Sequence, residues 1–155
     1  MTIVHLVPAT RAHVKELAAN MSEADEDEVF AAVGLRPLAA LERIMAGSRD
    51  PMTALADGAV AAMYGVESPS LLHPVGVPWL LSTDLTEKHW AKTARLSRQW
   101  VNDQRQRYDL LVNFVDARHY KALKWLGWLG FTILPPEPYG PYGMPFHRFE
   151  LRSNV

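Results

Sequence analysis

The clearest hydrophobic pattern in the chain lies between Tyr108 and Phe131, YDLLVNFVDARHYKALKWLGWLGF. Leu110, Leu111, Val112, Phe114 and Val115 form a near-continuous apolar run, the pattern of a strand covered on both faces. Asp116 then stands at a natural helix N-cap position. Ala122, Leu123, Leu126 and Leu129 recur at helical spacing before Gly130 closes the element. A second apolar run, Phe131 to Leu134, follows at once. The pattern predicts strand, helix and strand, with function expected beyond the carboxyl end of the first strand.

Elsewhere, Thr2 to Val7 predicts a first strand, and Pro8 and Thr10 a turn into a helix on which Val14, Leu17, Ala18 and Met21 share a face. Ser22 can cap a second helix. Its first residues, Glu23, Asp25, Glu26, Asp27 and Glu28, suit the positive end of the macrodipole; the five carboxylates could also attract a cationic amine, with a solvated helix start as their plainer role, and Gly34 ends the helix. Pro37 opens a third helix with Leu38, Leu41, Ile44 and Met45 on one face. Met52 to Ala56 and Val60 to Val66 flank Asp57-Gly58, a strong hairpin signal. Ser68 to Pro74 reads as a loop and Val77 to Thr83 as a fourth strand. Pro78 would be costly within a ladder, so it is expected at the first residues of that strand or at a bulge. Asp84 and Glu87 read as a capping pair for the longest helix, Leu85 to about Arg107. Pro135 to Gly143 reads as a stiff irregular loop, and Phe146 to Arg152 as the last strand. The fold class is therefore α/β: one domain over residues 1–155, with helices on both faces of a mixed sheet of about six to seven strands.

Composition removes several function classes. With 48% hydrophobic and 21% charged residues, the chain has the make-up of a soluble globular domain. Its net charge of -1 and lack of a basic stripe argue against nucleic-acid binding. The absence of cysteine removes disulfides, thiolate metal sites and a cysteine nucleophile. Ile3 to Val7, stopped by Pro8, is too short for a signal peptide or membrane span, so a cytoplasmic protein with no membrane partner is expected. No metal-ligand pair such as H-E-x-x-H occurs, and there is no nucleophile elbow or phosphate-binding P-loop.

The order of elements and the segment HYKALKWLGWLGF, His119 to Phe131, resemble the GNAT (Gcn-related N-acetyltransferase) superfamily over essentially the whole chain. Ala122, Gly130 and Phe131 match the family's N-x-x-A-x-x-x-Y-x-x-x-G-F helix. His119 stands where Asn is usual and Leu126 where Tyr is usual. The strings VPWLLSTD, LVNFVDAR, KWLGWLGFTI, PPEPYG and PFHRFE are also similar to a small podovirus family of GNAT-like internal virion or virion-assembly proteins. That resemblance implies a phage or prophage protein in the bacterial host cytoplasm or the virion, with phage structural proteins as partners.

The GNAT resemblance implies acetyl-CoA or CoA held where the fourth and fifth strands part. Pantetheine would lie along Trp79, Leu80, Leu81 and Ser82, and the pyrophosphate at the start of the long helix near Lys88, His89 and Lys92. Orphan amides and a helix dipole favour an anion there. The family's glycine-rich loop falls on Thr86 to Ala91, TEKHWA, which has no glycine; the same residues also read as an ordinary helix start. Acyl transfer to a small-molecule or peptide amine needs a base and an acid. His119, Asp116 and Glu67 are the candidates for proton handling; a first-turn histidine, a helix cap and a surface carboxylate are their plainer roles. Tyr120, Tyr139 and Tyr142 are the candidates to replace the missing tyrosine. The alternative function is a non-catalytic GNAT-fold accessory protein. Trp125 and Trp128 leave the last helix apolar nearly all round, so one is expected in the core and the other against another chain, such as a second copy.

Overall fold

The structure, a computed structural model, describes residues 3–70 and 72–153. Thr2 of the expected first strand and Leu71 of the expected Ser68 to Pro74 loop lie outside them. The elements run β1 (Val4–Pro8), α1 (Arg11–Asn20), α2 (Glu23–Val33), α3 (Pro37–Gly47), β2 (Ser48–Ala56), β3 (Ala59–Glu67), β4 (Val75–Ser82), α4 (Leu85–Lys88), α5 (Trp90–Arg107), β5 (Leu110–Asp116), α6 (Tyr120–Trp128), β6 (Thr132–Tyr139) and β7 (Met144–Arg152). The strands form one seven-stranded sheet in the order β1-β2-β3-β4-β5-β7-β6. Neighbours are antiparallel except β4 and β5. The α/β class and the mixed sheet are as the sequence pattern predicts.

Local chemistry accounts for most of the ends. Thr10 and His13 form a reciprocal cap on α1, Ser22 Oγ accepts from the Asp25 amide to start α2, and Gly34 ends α2 at φ 72°. Asp57 (φ 49°) and Gly58 (φ 85°) make the β2–β3 hairpin turn, in which both central residues need positive φ. One apolar cluster, with Leu17, Leu41, Met63 and Leu81, lies under α1, α2 and α3. A second, with Val101, Leu111, Val115, Leu126 and Phe149, lies under α5 and α6.

Four expectations about caps and element boundaries are corrected. Asp116 does not cap α6; it is the last residue of β5, and His119 accepts from the Ala122 amide as the cap. Asp84 and Glu87 form no cap, because Asp84 is itself helical and makes no side-chain cap bond. The long helix is interrupted at His89 (φ -122°, ψ 34°), leaving the single turn α4 ahead of α5. Pro135, Pro136 and Pro138 lie inside β6 and not in a loop, with a register shift between Ile133 and Pro136. A strand with three prolines is tolerated there because β6 is the sheet edge.

Pro78 is the fourth residue of β4, a strand with neighbours on both sides, and sits in an unbroken register with β3 instead of at the strand's first residues or a bulge as expected. Register resolves the conflict. β4 and β5 pair only at Val75 with Leu110 and Gly76 with Leu111. In a continued parallel ladder the next donor from β4 would be the amide of residue 78, and proline has none. The strands part at that point. The Asn113 side-chain amide bridges the gap and donates to Pro78 O at 2.8 Å. Gly76 is required at the last pair, since a Cβ there would lie 2.7 Å from Val66 Cγ1 and 3.0 Å from the Tyr108 ring.

Candidate functional site

Where β4 and β5 part, a cavity of about 420 Å³ passes through the sheet. On the α5 face its wall includes His89, Thr93, Ser97 and Trp100; at the gap Pro78, Leu80, Asn113 and Phe114; on the α2 face Glu28, Glu67 and Tyr139. Alternation along β4 directs the backbone groups of residues 78, 80 and 82 toward β5, since Thr83 pairs with Ala61 on the β3 side. Ser82 N donates to Asp25 at 2.7 Å, Ser82 O accepts from Ser22 N, and Pro78 O is taken by Asn113. Among the described residues nothing across the gap bonds to the amide or carbonyl of Leu80.

Of the residues expected to bind a cofactor, Trp79, Leu80, Leu81 and His89 line this cavity. Ser82 is engaged by Asp25 through both its amide and its hydroxyl. Lys88 and Lys92 are exposed beside the α4–α5 break. The amides of Leu85, Thr86, Glu87 and His89 are used in local turn bonds, whereas those of Trp90, Ala91 and Lys92 open α5 without an intrahelical acceptor. On the α6 side the buried Trp125 indole N–H has no hydrogen-bond partner.

His119 and Asp116, two of the three residues expected to handle protons, sit together at the rim of the sheet, outside the cavity wall. His119 Nε2 is 2.8 Å from Asp25 Oδ1, and Nδ1 is the acceptor that caps α6. Burial opposes the imidazolium, but Asp25, Glu28 and Asp116 together raise the His119 pKa. Asp116 is 2% exposed and receives the Arg118 amide at 2.8 Å and its guanidinium at 2.7 Å. Burial would raise its pKa; the Arg118 bonds outweigh this and lower it. Both residues thus clasp α2 to the ends of β4 and β5.

Glu67, the third, does line the cavity. Burial raises its pKa against the opposing charge of Arg43. Tyr139 stacks on Phe114 with centroids 4.1 Å apart, and burial together with the Glu67 charge raises its pKa. Of the three tyrosines named as replacements it alone lines the cavity; Tyr120 and Tyr142 are 78% and 57% exposed. Tyr64 adds a second hydroxyl, against Trp100.

Glu28 belongs to the acidic run Glu23 to Glu28, which the sequence offers as a whole and within which it does not stand out. Its Oε2 accepts from Asp116 N at 3.3 Å, and burial, reinforced by Asp25 and Asp116, pushes its pKa up to about 8. The signal was helical phase: Asp25, Glu28, Val29 and Ala32 fall at i, i+3, i+4 and i+7, which puts two acids in the buried stripe of α2. On a neighbouring face of α2, Gly140 of the β6–β7 turn packs on the Ala31 carbonyl and Tyr142 stacks on Phe30.

No family model and no curated protein matches the sequence. Solved structures do match in fold. RimL, a ribosomal L7/L12 alpha-N-protein acetyltransferase in complex with coenzyme A, gives a TM-score of 0.70 at 7% identity, covering 97% of this chain and 94% of its own. An N-acetyltransferase from Staphylococcus aureus gives 0.69 at 13% identity, covering 97% and 98%. An acetyltransferase of the GNAT family from Streptococcus pneumoniae gives 0.63 at 12% identity, covering 97% and 99%. The chain has the GNAT fold. Among the described residues no helix is long and apolar enough to cross a membrane.

Proposed function

We propose that this protein binds acetyl-CoA or CoA in the gap between β4 and β5 and transfers the acetyl group to an amine. The observation that carries the reading is the gap itself: a ladder ended by Pro78, with unpaired backbone groups of Leu80 inside a cavity open to both faces of the sheet. The chain's own groups fit such an occupant. The Leu80 amide and carbonyl offer strand-like bonds to an amide-bearing arm, and the buried Trp125 N–H is an orphan donor on the same wall. Lys88 and Lys92 supply positive charge beside the first turn of α5, where a diphosphate would be favoured. RimL is described as a coenzyme A complex, which supports the same reading.

Bound acetyl-CoA would supply an activated acetyl thioester. The protein's part is to orient it and to move protons. The Leu80 N–H is the donor available to a carbonyl oxygen seated in the gap. Glu67, whose pKa burial raises against the charge of Arg43, is the carboxyl group in the cavity that would take a proton from an ammonium. Tyr139, held protonated, is the hydroxyl placed to return one to a departing thiolate; Leu126 at the family's position cannot. His119 and Asp116 act here by fixing α2.

Titration with acetyl-CoA and with CoA, followed by thermal melting, tests the reading. A ligand at a hundred times its dissociation constant should stabilise the fold by about 2.7 kcal/mol, and Leu80→Pro should weaken that effect. No shift with either compound at millimolar concentration would overturn it. The second reading, an accessory protein of virion assembly in a phage or prophage, rests on the podovirus-like strings. The occupied Ser82 amide and Leu126 favour it. Normal particle yield after deletion from a parent phage would count against it.

A further inference from the structure

The cavity does not end at the gap. On the α5 face it runs on across three further strands: Leu6 of β1, Ala54 of β2 and Ala62 of β3 all line it and stand directly opposite one another in register, beside Leu80 of β4. Cross-strand partners share a face of the sheet. The edge contact of Tyr64, two residues along β3, with Trp100 makes this the face that α5 covers. Neighbouring strands lie about 4.8 Å apart, so the arm from Leu80 to Leu6 is about 14 Å long. Its floor is low because two of its residues are alanine. In its roof the hydroxyls are turned back into the helix: Thr86 Oγ1 donates to Thr83 O at 3.1 Å, Thr93 Oγ1 to His89 O at 2.9 Å and Ser97 Oγ to Thr93 O at 2.7 Å. The arm is left mainly with carbon above and below, His89 and the Tyr64 hydroxyl being polar exceptions. It opens at the sheet edge, where Leu6 is 42% exposed.

We propose that the acyl group this site is shaped to take is an aliphatic chain longer than acetyl, lying under α5 from Leu80 toward Leu6. The inference rests on the acyl-CoA reading of the same cavity and names its donor class. An acetyl group extends one carbon–carbon bond past its carbonyl carbon and leaves the arm unfilled, whereas an octanoyl chain buries its methylene groups over Ala62 and Ala54. The carboxyl groups of the cavity, Glu28 and Glu67, lie on the α2 face, so none meets the chain. The two alanines decide what enters, since a larger side chain at either position closes the arm. The transfer itself keeps its balance: the acyl–sulfur bond breaks and an amide bond to the acceptor nitrogen forms. Of the two protons lost by the acceptor ammonium, one leaves on the CoA thiol and one goes to solvent.

Calorimetric titration with CoA, acetyl-CoA and octanoyl-CoA tests this. Each methylene taken out of water should tighten binding up to about fourfold. Octanoyl-CoA should therefore bind at least about tenfold more tightly than acetyl-CoA. Ala54→Phe fills the middle of the arm; it should remove that preference and leave the affinity for CoA and acetyl-CoA within about twofold of the parent. Leu6→Glu, at an exposed position, serves where Ala54→Phe does not fold: it puts charge at the far end of the arm and should cut the preference at least about threefold. Equal affinity for acetyl-CoA and octanoyl-CoA in the unaltered protein would overturn the proposal whether or not a variant folds. So would an unchanged preference in a folded variant. Binding of CoA and acetyl-CoA without a gain for octanoyl-CoA loses this inference alone, whereas no binding of all three loses the acyl-CoA reading with it.

Discussion

Asp25 and Glu28 are one helical turn apart on α2, yet they belong to different kinds of region. At the rim, Asp25 and Asp116 have all their oxygens engaged by His119, Ser82 and Arg118. In the cavity, Glu28 and Glu67 keep oxygens without a hydrogen-bond partner among the described residues. Both regions are acidic and both shift pKa values, so neither composition nor titration separates them. Hydrogen-bond satisfaction does: a buried group that is fully paired holds the fold, and one left open calls for a ligand.

The comparison can be broken by substitution. The largest expected effect is on Glu67→Gln, which should slow amine-dependent thiol release about a hundredfold or more while leaving the melting temperature near that of the parent; a rate within twofold would move proton handling elsewhere. Next is Asp116→Ala. By stranding the Arg118 amide and a cation it should cost about 2–3 kcal/mol in denaturant unfolding, and folded protein should still bind CoA. A cost under about 0.5 kcal/mol, the level of an ordinary surface substitution, would place Asp116 outside the structural group.

A pH series sharpens the contrast at a smaller scale. The folded state keeps the Glu28 proton that the unfolded chain loses above about 4.5, so stability should fall as pH rises from there to about 8. The slope is at most about 1.4 kcal/mol per pH unit, and Glu28→Gln should remove it. His119 adds in the same direction: its raised pKa stabilises fully below 6.5 and is lost as pH climbs through the folded value. Asp116 acts oppositely. Its lowered pKa contributes above 3.8 and is lost as pH falls through the folded value. A stability curve flat from pH 5 to 8 would contradict the assignment of Glu28. The smallest effect belongs to neither region: Trp128, 46% exposed under the Arg98 guanidinium at 3.7 Å, should cost under about 1 kcal/mol when changed to Ala.

Much of the fold was legible because its signals are local. Asp57-Gly58, Thr10, Ser22, Gly34 and Pro37 each set one turn or cap by their own chemistry, and each does so in the structure. The misreadings arose where two local rules competed or where the third dimension decided. Asp116 is a good cap, but pairing with β7 carries β5 on to it, and His119 takes the capping role. Pro78 was recognised as an anomaly; only the identity of the neighbouring strand shows that the missing amide faces a gap. At the site, Glu67 was legible as a carboxylate at a strand end. Glu28 was legible only as one of the five carboxylates of its acidic run, because an acidic first turn satisfies a helix dipole equally well whichever way its side chains point.

The parting at Pro78 also bears on how the molecule holds together in time. Two residue pairs of ladder and the Asn113 bond to Pro78 join the β1–β4 part of the sheet to the β5–β7 part, and two apolar clusters follow nearly the same division, Val66 of β3 packing with the second. Such a division makes the halves natural units of partial opening, with α2 and its Asp25 clasp as the main tie across the seam. Amide exchange should therefore report two protection levels in the empty protein, merging into one when an occupant of the gap bonds to both strands. The cleft that admits a ligand would then be the weakest joint of the fold, and its filling would be what makes the domain a single cooperative unit.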